Sequence, residues 1–107
     1  MRHRLIASAV CLIALGAVNQ PRSPAAEPAV DITWGVKIPV RDGYTLNATV
    51  YRPAGQAMPL PAVVTITPYV SDTYHDRGMY FARRGYVFAI VDVRGRGNSE
   101  GVFEPFT

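Results

Sequence analysis

From Asp31 the chain alternates. Ile32, Trp34, Val36, Ile38 and Val40 recur at every second position, the period of an extended strand, and would share one of its faces. Asp42-Gly43 interrupts the run. This pair predicts a tight type I′ turn, because such a turn needs positive φ and glycine adopts it freely. Alternation resumes in "TLNATVYR", with Leu46, Ala48 and Val50 expected to face inward and Thr45, Asn47 and Thr49 outward. The two segments predict an antiparallel hairpin. Pro53, Gly55, Pro59 and Pro61 make the next stretch a loop.

The pattern then changes. "AVVTIT", Ala62 to Thr67, is β-branched with little alternation, as expected of a strand buried on both faces. Pro68 ends it by withholding a backbone donor. "HDRGMYFARRG" predicts a short helix that Asp72, Thr73 or Asp76 would cap. Arg83 and Arg84 fall in its last turn, where cations suit the helix dipole, and Gly85 suits the position after its end. Gly78 weakens that helix. "YVFAIVDV" is a second apolar strand. Strand, helix and strand form a parallel βαβ unit, expected to cross over right-handed. With the hairpin at its edge, the fold class is α/β.

Charge changes the picture only at the N-terminus. The 107 residues carry a formal net charge of +3, but Arg2, Arg4 and Arg22 supply the excess; from Glu27 onward eight basic residues balance eight acidic ones. A neutral body without a basic stripe offers no electrostatic reason for nucleic-acid binding. "MRHR" followed by the apolar Leu5 to Val18 has the composition of a signal peptide and is short for a membrane span. Residues 1–26 are therefore expected to be a leader cleaved after Ala25 or Ala26. Residues 27–31 would be a flexible lead-in, and the product secreted or periplasmic with no stable membrane anchor. Cys11 lies inside the leader, so the mature chain would have no cysteine.

The candidate chemistry lies in two loops that leave the C-terminal ends of the apolar strands, where open α/β sheets place their ligand crevices. "VDVRGRGNSEG" has Gly95 and Gly97 in a dinucleotide-like spacing, but Glu100 stands where the third glycine belongs and would repel a pyrophosphate. Its other reading is a tied-down architectural loop in which Asp92, Arg94, Ser99 and Glu100 satisfy backbone groups and pair with one another. Tyr69, just past Pro68 on the other loop, has a phenol able to donate to a developing oxyanion; the plainer alternative is an aromatic plugging the sheet edge.

Taken together, "VKIPVRDGYTLNATVYRP", "PAVVTITPY" and "YFARRGYVFAIVDVRGRGNSEGVFEPF" resemble the start of the cocaine esterase / Xaa-Pro dipeptidyl-peptidase family of α/β-hydrolases, over residues 32–107. The resemblance implies the N-terminal part of an α/β-hydrolase sheet and acyl transfer to water on an ester, amide or short peptide. It implies a Ser-His-Asp triad without metal or organic cofactor. It matches Tyr69 to the family's oxyanion-hole tyrosine, whose partner donor is the backbone N–H after the nucleophile. It makes Asp92, Arg94, Gly95, Gly97, Ser99 and Gly101 a mainly structural loop near the site. The family's nucleophile is the serine of a G-x-S-Y-x-G elbow, and no G-x-S-x-G occurs among these residues. The chain is accordingly expected to be an N-terminal fragment, inactive by itself. His75 is read as a surface or capping residue, not the triad base. The alternative is a small exported ligand-binding module, or the product of a decayed gene.

Overall fold

The alternating and β-branched runs become four strands of one mixed sheet in the computed structural model, which describes residue 21 and residues 25–106. Residues 1–20, most of the expected leader, lie outside the described residues. The strands are β1 (Val30–Pro39), β2 (Thr45–Pro53), β3 (Ala62–Thr67) and β4 (Val87–Asp92), in the order β1-β2-β4-β3. β1 pairs antiparallel with β2, β2 antiparallel with β4, and β3 parallel with β4. The β3–β4 crossover holds a 3₁₀ turn (Ser71–Tyr74) and the helix α1 (His75–Ala82). The fold class is as expected: an antiparallel hairpin on the edge of a parallel βαβ unit.

The hairpin connection differs from the expected type I′ turn. Val40 N–H donates to the Tyr44 carbonyl at 2.9 Å and Gly43 N–H to the Val40 carbonyl at 3.0 Å. Three residues thus separate the closing pair. Asp42 has no positive φ, which type I′ requires, whereas Gly43 sits at φ +88°. This is the longer connection in which a turn over Arg41-Asp42 is followed by a left-handed glycine.

A bulge corrects the predicted face of β1. Ile32 pairs with Tyr51, but Val36 pairs with Ala48 and Ile38 with Leu46, with a register shift between Thr33 and Val36. Gly35, at φ +67°, takes up the extra residue. One added residue exchanges the two faces of a strand. Ile32 therefore lies on the helix side and Val36 and Ile38 on the other. Trp34 is mostly exposed and meets Tyr51 only edge-on.

The helix side of the sheet holds the core: Tyr51, Phe88 and Ile90 from the strands and Ala82 from α1, all buried. Phe81 stacks on Phe88 with ring centroids 5.2 Å apart. Asn47 and Thr49 share this face with Tyr51 and are buried, opposite to the outward orientation expected of them. Their polar groups are satisfied by the loops described below, so burial is tolerated. On the other face Val64 and Ile66 remain 60% and 65% exposed. β3 was expected to be buried on both faces, but among the described residues no element covers the second.

The start of α1 uses no side-chain cap, so none of the three expected residues fills that role. The 3₁₀ turn runs directly into the helix, and the His75 N–H finds the Asp72 carbonyl. Thr73 instead donates its hydroxyl to the Val70 carbonyl at 2.9 Å. The helix ends at Ala82, earlier than expected, and the chain then turns through Gly85, with Gly85 N–H on the Ala82 carbonyl and Tyr86 N–H on that of Phe81. Arg83 and Arg84 lie just past its last residue, Ala82, and the Arg84 guanidinium donates to the Tyr80 carbonyl at 3.0 Å.

Candidate active site at the carboxyl edge of β3 and β4

β3 and β4 run parallel and in register to their ends, where Thr67 stands beside Asp92. The loops that follow must therefore emerge side by side. The first carries Tyr69, which is 63% exposed at this edge. Its backbone is held at three successive places. The Pro68 carbonyl accepts from Arg96 Nε at 2.8 Å, the Tyr69 N–H donates to Thr67 Oγ1 at 3.0 Å, and the Ser71 N–H donates to Asp92 Oδ1 at 3.1 Å. Two of these three ties come from the second loop. The phenol is thus free to meet a ligand while the chain beneath it is fixed.

The second loop, Asp92 to Gly101, folds back on the hairpin. β2 pairs with β4 only over Ala48–Tyr51, which leaves the β4-facing backbone groups of Thr45 and Asn47 in need of partners. Ser99 Oγ accepts from Asn47 N–H at 2.7 Å and donates to the Asp92 carbonyl at 2.7 Å. Glu100 accepts from Thr45 N–H through Oε2 at 2.8 Å and donates its own N–H to the Thr45 carbonyl at 2.9 Å. Arg94 pairs with Asp42 and lies over the Tyr44 ring, 4.6 Å from its centroid. The hydrogen bond from Arg94 holds the Asp42 carboxyl below its usual range.

Asp92 is at the centre of this loop and only 1% exposed. Besides Ser71, its carboxylate accepts from the Asn47 side-chain amide at 3.4 Å. Asn47 Oδ1 in turn accepts from the Lys37 ammonium at 3.2 Å. The glycines fit by close approach: a β-carbon at Gly97 would strike the Asp92 carboxylate, one at Gly95 the Val102–Phe103 backbone, and one at Gly101 the Arg94 side chain. An anion placed against Gly97 would meet a buried carboxylate, so the loop is unsuited to cradle phosphate.

His75 is neither a cap nor a free surface group. It is half-buried, and its Nδ1 lies 3.1 Å from the Tyr51 hydroxyl. Burial, and then the nearby charge of Asp72, push the Tyr51 phenol up, so the phenol stays protonated at neutral pH. This pair lies on the core face of β2 and α1. A separate cleft of about 510 Å³ opens beside Pro68, Val93, Arg94 and Phe103; Tyr69 does not line it. Sequence reasoning missed three contributors to the loop pair: Asn47, Ser71 and Arg96. Asn47 was masked by strand alternation, and no local signal marked Ser71 or separated Arg96 from its neighbour Arg94.

The strand order, the antiparallel edge and the paired carboxyl-end loops define the N-terminal part of an α/β-hydrolase sheet. Residues 42–107 match the family model described as X-Pro dipeptidyl-peptidase (S15 family), and the chain belongs to that family. It is 36% identical over 80 residues to cocaine esterase of Rhodococcus sp. (strain MB1 Bresler), covering 69% of this chain and 14% of that protein. Among solved structures it resembles an alpha-amino acid ester hydrolase at 28% identity with a TM-score of 0.62, over 84% of this chain and 17% of the other. Brefeldin A esterase matches at 28% identity with a TM-score of 0.58, over 80% of this chain and 25% of the other. The chain thus spans a small part of the length of each relative.

Proposed function

We propose that this chain supplies the oxyanion-donating part of an exported serine hydrolase that transfers the acyl group of a small ester, amide or short peptide to water. The observation that carries this reading is Tyr69: an exposed phenol at the carboxyl edge of the sheet, on a backbone tied at Pro68, Tyr69 and Ser71. Family membership supports it, and the relatives named above are esterases or ester hydrolases by description.

The chemistry follows from charge. When a serine attacks a carbonyl carbon, the carbonyl oxygen gains negative charge that was absent in the bound substrate. A preorganised donor at that oxygen stabilises the transition state more than the ground state. In this reading the Tyr69 hydroxyl is one donor, and the N–H that follows the nucleophile is the other. Serine, histidine and aspartate of the triad come from elsewhere in the gene product. Export rests on the leader composition of residues 1–26.

A serine-directed fluorophosphonate tests the reading on the protein as its gene encodes it. Labelling of one serine within a G-x-S-Y-x-G segment, with loss of ester hydrolysis, is the expected result. A protein that hydrolyses esters with no serine labelled would refute it.

A further inference from the structure

We propose that Arg96 is a positioning residue for Tyr69, setting the height of the phenol above the sheet through the Pro68 carbonyl; this rests on the reading of Tyr69 as oxyanion donor. The Pro68–Ser71 segment leaves β3 without strand pairing, and proline contributes no N–H of its own. Its carbonyl is instead gripped by Arg96 Nε at 2.8 Å, a charge-assisted bond spanning 28 residues of sequence. Arg96 is itself fixed from two sides. Its N–H donates to the Val93 carbonyl at 3.1 Å, and its guanidinium lies over the Phe103 ring, 5.0 Å from the centroid.

The two loops are therefore tied to each other at two points at the sheet edge. Asp92 holds the far end of the tyrosine segment at Ser71, and Arg96 holds the near end at Pro68. Tyr69 lies between these anchors. Loss of the Arg96 anchor frees the near end, and a donor displaced by about an ångström loses much of its alignment with the oxyanion. Arg96 is exposed whereas Asp92 is buried, so Arg96 can be replaced without opening the core. It is the informative site for a test.

The experiment is a double-mutant cycle in kcat on the full gene product, with an activated ester as substrate. Arg96→Met keeps an apolar stem against Phe103 and removes the donor; Arg96→Ala removes both. With Tyr69 present, Arg96→Met should lower kcat on the order of tenfold with little change in KM, and leave the melting temperature close to wild type. In the Tyr69→Phe background the same change should have almost no effect on kcat, because the hydroxyl it positions is gone. Equal losses in both backgrounds, or wild-type kcat in both Arg96 variants beside a strong Tyr69→Phe defect, overturn the positioning role alone. Wild-type kcat in Tyr69→Phe, or no ester turnover in the wild-type protein, overturns the oxyanion reading and this proposal with it.

Discussion

Gly78 is the residue on which α1 approaches the sheet, and replacing it with alanine sets two effects of opposite sign against each other. In an isolated helix the change favours folding by roughly 1 kcal/mol, since glycine is the poorer helix former. Here a β-carbon would lie 2.6 Å from Tyr51 Cδ2 and 2.7 Å from its Cε2 and Cγ. Carbon atoms rest at about 3.5–4.0 Å, so ring or helix must move by about 1 Å. The ring has little freedom. Tyr51 is fully buried, sits edge-on to Phe88, and its hydroxyl bonds His75 at 3.1 Å. Overpacking of this kind costs about 1–3 kcal/mol, and losing the hydroxyl bond adds about 0.5–1.5 kcal/mol. The penalty outweighs the propensity gain, and Gly78→Ala should destabilise by about 1–3 kcal/mol. In the full gene product that should lower Tm by several degrees, read by thermal circular dichroism. On a Tyr51→Leu background the clash is relieved and the same change should become neutral or stabilising. A raised Tm for Gly78→Ala in the Tyr51 protein would refute the packing argument.

Gly43→Val should destabilise by about 1 kcal/mol or more through backbone strain alone, because φ is +88° and nothing lies within 4 Å of the added carbon; an unchanged urea midpoint would count against the turn geometry. Asp42 has its carboxyl held below the usual 3.8 by Arg94. The stabilisation from that pair should be fully present above the usual value and fade as pH falls through the lower folded one. Asp42→Asn should remove this contribution to the acid-side slope; an unaltered pH profile of stability would show that the pair contributes none. Mass spectrometry of exported protein should find a first residue near Ala26 or Glu27, and a mature chain beginning at Met1 would sink the leader assignment.

Element positions were legible because strand and helix periods differ and because Gly85 and Pro68 punctuate them. Faces were less so. A single residue absorbed at Gly35 moves Val36 and Ile38 to the opposite side from Ile32, and alternation gives no warning of it. Asn47 and Thr49 read as outward because polar side chains usually are. Their burial depends on Ser71, Asp92 and Ser99, between 22 and 52 residues away in sequence, and no local pattern encodes such partners. Tyr69 was singled out by the family resemblance and by its place after a strand and a proline. The anchors beneath it were not, since Arg94 and Arg96 occupy equivalent places in "RGRG". Only the folded loop sends one to Asp42 and the other to Pro68.

The most direct measurement is kcat for Tyr69→Phe in the full gene product acting on an activated ester. The substitution removes one exposed hydroxyl and leaves the ring, so the fold is undisturbed. Loss of an oxyanion donor lowers kcat by about 100- to 1000-fold, about 2.7–4 kcal/mol of transition-state stabilisation, with KM little changed. A fall of that size in a protein with wild-type Tm is the expected result. A wild-type kcat in the folded variant would contradict the account and leave Tyr69 as a ring at the edge of the sheet.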